Sequence, residues 1–148
     1  MLGNMRAECS IELINRACSH SPARTAVVNA VNAVVMESVR DASTAGLIEP
    51  VLIGEPGAVA AAGSEVGYDI SNLEIVPASG EEDAARLGAE IAGSGRAGAV
   101  MKGHLHTDNF MRALVQREAG LRIGRPFTHI FHMTVPGRAA ALLITDAA

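Results

Sequence analysis

The stretch that decides the fold is AGAVMKGHLHTDNFMRALVQREAG, residues 97–120. A short apolar run, AGAV, leads into a Lys-Gly pair. A polar turn with two histidines follows, and then a segment with helical spacing. A parallel strand emptying into a loop and then a helix is the repeating step of an α/β chain. Such a chain places ligands beyond the carboxyl ends of its strands. A buried strand that ends in Lys102, Gly103, His104, His106, Thr107 and Asp108 is therefore either a metal site, an anion site or an ordinary polar turn.

The rest of the chain repeats the step. TAVVNAVNA (25–33) has the β-branched content of a strand, and VVMESVRDASTAG (34–46) reads as a helix stopped by Gly46. EPVLIGE (49–55) is an apolar run bounded by Pro and Gly, as in a buried parallel strand. PGAVAAAGSEVG (56–67) opens a helix on Pro56. NLEIVPA (72–78) is a strand. EEDAARLGAEIAG (81–93) sets Ala84, Leu87, Gly88 and Ile91 on one helical face behind an acidic first turn. GAVMKG (98–103) is a strand and TDNFMRALVQREAG (107–120) a helix. FTHIFHMTV (127–135) and ALLITDAA (141–148) read as two final strands. The expected fold is α/β, with a largely parallel sheet, helices on both faces and right-handed crossovers.

Composition narrows the partners. Of 148 residues, 49% are hydrophobic and only 3% aromatic, so the core is built from Ala, Val, Ile, Leu and Met. One Tyr, three Phe and a net charge of −4 argue against nucleic acid. No apolar run reaches membrane-spanning length, and the N-terminus lacks the apolar segment of a secretory leader. Cys9 and Cys18 would lie on nearly opposite sides of one helix, so reduced thiols in the cytoplasm are expected. GSGRAG (93–98) matches a dinucleotide-binding G-x-G-x-x-G, but it follows a helix and leads into a strand, the reverse of the required order.

For MKGHLHTDNF itself, His104-x-His106, with His129 and His132, could supply imidazoles to a metal. Asp108 is the sole nearby acid, though, and His129 and His132, three apart in a strand, would face opposite sides; polar loop histidines are the favoured reading. As an anion site, Lys102 supplies charge and Gly103 permits close backbone approach. Thr107 would cap a helix from 108, leaving N–H groups at its positive end, and Arg112 lies a turn further on. Lys102 and Arg112 would then reach one concave site, with Asp108 turned outward. Against this stands a plain capped helix with surface Lys and Arg, and spacing alone leaves the two open.

A resemblance goes further. AVMKGHLHTDNFMRALVQREAGLRIGRPFTHIFHMTVP (99–136), LLITDAA (142–148) and AGLIEPVLIGEP (45–56) resemble, in order, segments of the phosphate acetyltransferase/phosphate butyryltransferase family. The likeness spans about residues 25–148, after an N-terminal helical segment, 1–24. It departs at Asn32, where many members carry Asp, and at the end of the chain, since members continue into a second half. The resemblance implies a fold like that of isocitrate and isopropylmalate dehydrogenases, with this chain as an incomplete N-terminal portion. It implies reversible acyl transfer between CoA and inorganic phosphate in a cytoplasmic homo-oligomer, without metal or redox cofactor. It implies substrate or phosphate contacts at Lys102, Gly103, Thr107, Arg112, Arg122, Thr145 and Asp146, with the catalytic base in the absent half. The alternatives are a non-catalytic remnant or interaction module, and a decarboxylating dehydrogenase of the same fold; the Asp cluster and nucleotide loop of the last are missing.

Overall fold

In the computed structural model, which describes residues 10–135, 138 and 140–145, Ser21–Ile123 form one unit. Its elements are β1 (Ala23–Val28), α2 (Ala33–Thr44), β2 (Ile48–Gly54), α3 (Pro56–Glu65), β3 (Glu74–Pro77), α4 (Gly80–Gly93), β4 (Ala99–Lys102) and α5 (Thr107–Val115). The described residues up to His20 and from Gly124 onward form the other unit, with α1 (Ile11–Cys18), β5 (Ile130–Met133) and β6 (Leu142–Thr145).

The four strands of the first unit are all parallel and run in the order β3-β2-β1-β4. Strand alternation sends side chains to opposite faces. Val27 and Leu52 pack with Met36 and Val39 of α2 and with Val59 and Ala62 of α3. Ala26, Val28, Val51 and Ile53 pack with Ala84, Ala85 and Ile91 of α4, joined by half-buried Leu87, Phe110 and Ala113. The sheet is thus covered on both faces, and the face read on α4 from its spacing is the one that packs. Small residues let α4 lie close to the sheet: a Cβ on Gly88 would stand 2.4 Å from Val28 Cγ2.

Local punctuation accounts for most boundaries. Gly46 has φ +72, and the Gly46 and Leu47 N–H groups donate to Ser43 and Ala42 carbonyls, the Schellman closure expected of that glycine. Pro56 begins α3, and the Glu55 carboxylate accepts from Gly57 and Ala58 N–H at 2.9 and 2.6 Å. The Gly57 and then the Ala58 N–H hold that carboxyl below the usual range. GSGRAG leaves α4 and enters β4, so no helix starts on its glycines.

Three expected elements change. The strand read over 25–33 stops at Val28: Asn29 turns into the left-handed region at φ 56, and Asn32 caps α2 by accepting from Val35 N–H at 3.0 Å. Asp caps a helix as well as Asn does, so the departure at Asn32 preserves this role. The helix read to Gly120 ends at Val115, and Gln116 is extended. The reason lies in packing: the Ala119 carbonyl sits against Gly93, where an added Cβ would fall 1.5 Å away. Finally, the last two strands do not extend the parallel sheet. β5 and β6 pair antiparallel as a separate two-stranded sheet, Ile130 opposite Thr145 and Met133 opposite Leu142.

Candidate functional site

The strand order has one reversal. From β1 the chain steps to β2 and β3 on one side, then returns to place β4 on the other side of β1. The carboxyl ends of β1 and β4 flank that switch point, where an open parallel sheet leaves a crevice for a ligand. MKGHLHTDNF begins there. The ion pairs of Arg24 with Glu49 and Glu74, and of Arg96 with Glu74, involve residues at or before the opposite, amino ends of these strands.

Lys102 ends β4 with an exposed side chain. Gly103 is buried and its N–H donates to the Val28 carbonyl at 2.9 Å. A Cβ on it would lie 2.2 Å from the Val28 oxygen and 2.7 Å from that of Asn29. The close approach that requires this glycine is therefore with the chain's own backbone. In HLH, Leu105 is the buried anchor, 7% exposed, while His104 and His106 are exposed. Among the described residues no three His, Cys, Asp or Glu side chains come together as a metal group would need.

Thr107 is not the cap of α5. His106 holds that position, without a side-chain cap hydrogen bond, and Thr107 is the first helical residue. The end is instead served from α4. The Glu81 carboxylate accepts the His106 N–H at 2.9 Å, meets His106 Nδ1 at 2.8 Å and accepts the Asn109 amide at 3.2 Å. The His106 N–H above all, then the His106 ring, lowers the Glu81 carboxyl to about 2. With Asp108 in the first turn, two carboxylates now offset the dipole that an anion would use.

Arg112 stands in the last turn of α5, exposed. It lines a groove of about 490 Å³ between α4 and α5 with Glu82, Arg86, Glu90 and Glu118, and Lys102 is not on that wall. The expected convergence of Lys102 and Arg112 is thus not formed in this groove. Nor does Arg112 pair with Glu118: among the described residues it makes no ion pair. Arg122 is exposed in the segment after α5. Thr145 closes β6 in the other unit, exposed, and Asp146 and Cys9 lie outside the described residues.

Two residues that the motif reading missed shape the site. Asn29 donates its side-chain amide to the His104 carbonyl, while its own carbonyl accepts the His104 N–H at 3.0 Å. Glu81 reaches His106 from 25 residues away. The signal for Asn29 was an Asn directly after an apolar run, a place where the left-handed region is tolerated. For Glu81 the sequence held only an acidic helix start.

No protein-family model matches the chain. Curated relatives do. A phosphate acetyltransferase from Rickettsia typhi is 35% identical over 138 residues, 93% of this chain and 40% of the relative. A phosphate butyryltransferase from Clostridium acetobutylicum is 31% identical over 137 residues, covering 93% of this chain and 46% of the relative. The chain thus spans less than half the length of these relatives. Among solved structures, a phosphotransacetylase from Staphylococcus aureus matches with TM-score 0.68 at 16% identity, over 89% of this chain and 49% of that one. A branched-chain phosphotransacylase from Enterococcus faecalis matches with TM-score 0.63 at 17% identity, over 83% of this chain and 42% of that one. The resemblance read from the motifs is therefore shown: the chain is a homologue of phosphate acetyl- and butyryltransferases over nearly all its length, and it shares the α/β fold of phosphotransacylases.

Proposed function

We propose that a protein carrying this chain transfers an acyl group between CoA and inorganic phosphate, with residues 25–148 as the N-terminal α/β portion of the enzyme. The observation that carries this reading is the alignment of 93% of the chain with enzymes named for that transfer. In the direction of acyl-CoA synthesis, the CoA thiolate attacks the acyl carbon of an acyl phosphate. A C–S bond forms, the C–O bond to phosphorus breaks, and inorganic phosphate leaves with the electron pair. The thiol's proton goes to a base supplied outside this chain, since a thiol becomes a strong nucleophile only as thiolate.

Lys102, Thr107, Arg112, Arg122, Thr145 and Asp146 are the proposed substrate or phosphate contacts, with guanidinium groups suited to phosphate oxygens. Gly103 serves by fixing the backbone that carries Lys102. No metal or redox cofactor enters the balance. The finer fold reading is the two-domain arrangement of isocitrate and isopropylmalate dehydrogenases, with a cleft between domains, in a cytoplasmic homo-oligomer. Among the described residues no helix is long and apolar enough to cross a membrane.

The second unit supports the need for more protein. Phe131, Met133 and Leu142, which the register sets on one side of its two-stranded sheet, are 55%, 48% and 38% exposed, a face suited to packing against the portion that the relatives carry beyond the aligned region. The test measures phosphate-dependent release of CoA thiol from acetyl-CoA and butyryl-CoA. The chain alone should release none. Joined to the unaligned portion of a matched acetyltransferase, it should release CoA. A folded, joined protein that is inert on both would overturn the proposal in favour of a non-catalytic interaction module.

A further inference from the structure

We propose that Asn29 and Glu81 are positioning residues that hold the Lys102–Thr107 stretch from its two ends, a proposal that rests on the phosphate-handling reading of that stretch. A loop at the functional end of a strand is ordinarily the mobile part of an α/β domain. Here it is tied down residue by residue. Gly103 N–H donates to Val28 O at 2.9 Å, and His104 N–H to Asn29 O at 3.0 Å. The His104 carbonyl accepts from the Asn29 side chain, and the His106 N–H is taken by Glu81 at 2.9 Å. Between them Leu105 is sunk into the core.

The chemistry at each end is selective. Asn29 combines two properties: it tolerates the left-handed backbone at φ 56, and it offers an amide N–H to a carbonyl. Gly would keep the first and lose the second. Asp would put an acceptor against the His104 carbonyl. At the other end Glu81 needs acceptor oxygens, since His106 N–H and the Asn109 amide are both donors. Gln retains one such oxygen and Ala retains none. Contacts spanning 75 residues on one side and 25 on the other thus set where Lys102 and Thr107 stand, although neither Asn29 nor Glu81 is itself proposed to touch substrate.

The experiment uses the whole 148-residue chain. Amide hydrogen exchange is followed by NMR at Gly103, His104 and His106, with Leu52 and Ile53 as core references. Inorganic phosphate is titrated while the Lys102 and Thr107 signals are read. Asn29→Asp and Glu81→Ala should speed exchange of the loop amides by about tenfold or more while the core references move less than about twofold. Glu81→Gln should restore His106 protection to within about threefold of the parent. Where phosphate binds the parent chain, the two disruptive variants should weaken it by about tenfold. Unchanged loop exchange, a core acceleration as large as the loop's, or unchanged phosphate affinity in a loosened loop would each overturn the proposal. A parent chain whose Lys102 and Thr107 signals ignore phosphate would sink the phosphate reading of the stretch, and the exchange pattern would still decide whether the two residues hold it.

Discussion

Strands β2 and β5 carry comparable apolar runs, VLI and IFHM, yet their fates differ. Val51, Leu52 and Ile53 are 1%, 0% and 0% exposed, whereas Ile130, Phe131 and Met133 are 67%, 55% and 48% exposed. β2 has a strand on each side, α2 and α3 on one face and α4 on the other. Among the described residues, β5 has only β6 as its strand partner. A two-stranded sheet on its own is marginal in water, while a covered parallel sheet is a core. Burial is therefore decided by what lies across each face, and similar local sequence gives opposite energetics.

The sharpest way to break this comparison is to delete matching side chains in the two sheets. Leu52→Ala should cost about 2–5 kcal/mol in chemical denaturation, because it leaves a hole in a filled core. Leu143→Ala, at a position 67% exposed, should stay within about 0.5 kcal/mol. Similar losses at both sites would mean that the second sheet is covered in solution. Next in size, Gly103→Ala should cost about 3 kcal/mol, because its Cβ meets two backbone oxygens with nowhere to move. A melting curve unchanged by that variant would show that the β4 exit is loose and resembles the open sheet more than the closed one.

A smaller effect sharpens the contrast within the closed unit. Asn32→Ala should cost about 1 kcal/mol by removing the α2 cap, whereas Asn32→Asp should be near neutral. The smallest effect concerns acid. The Glu81 carboxyl is lowered in the folded chain from its ordinary value to about 2, first by the His106 N–H it accepts. Its stabilisation is present in full above about pH 4.5 and fades as pH falls toward 2, because protonation removes the acceptor charge. Relative to the parent, Glu81→Gln should therefore lose melting temperature at pH 6 and little at pH 2.5. An equal deficit at both pH values would place its effect outside the carboxylate.

Much of the fold was legible because its signals are local. Gly46, Pro56, the acidic start of α4 and the apolar runs around 51–53 and 99–101 each act within a few residues, and the elements appear where those signals stand. The motif reading placed Lys102 and Gly103 at a strand end, as observed. It gave the cap of α5 to Thr107 because Thr is a good capping residue, and it ran α5 on to Gly120. Both readings failed for a tertiary reason: Glu81 of α4 serves the helix start, and Gly93 of α4 admits the Ala119 backbone that draws the chain out of the helix.

By itself the sequence determined the α/β alternation, the covered faces of the first sheet and the kinship with phosphate acyltransferases, because periodicity and ordered motifs survive without coordinates. Only the tertiary structure decided the strand order with its reversal between β1 and β4, the antiparallel separation of β5 and β6, and the partners of the Gly103–His106 loop. Those partners are Asn29, 75 residues from His104, and Glu81, 25 residues from His106. Hydrogen bonds over such separations exist only once the sheet has brought β1, α4 and β4 together, and no local propensity announces them.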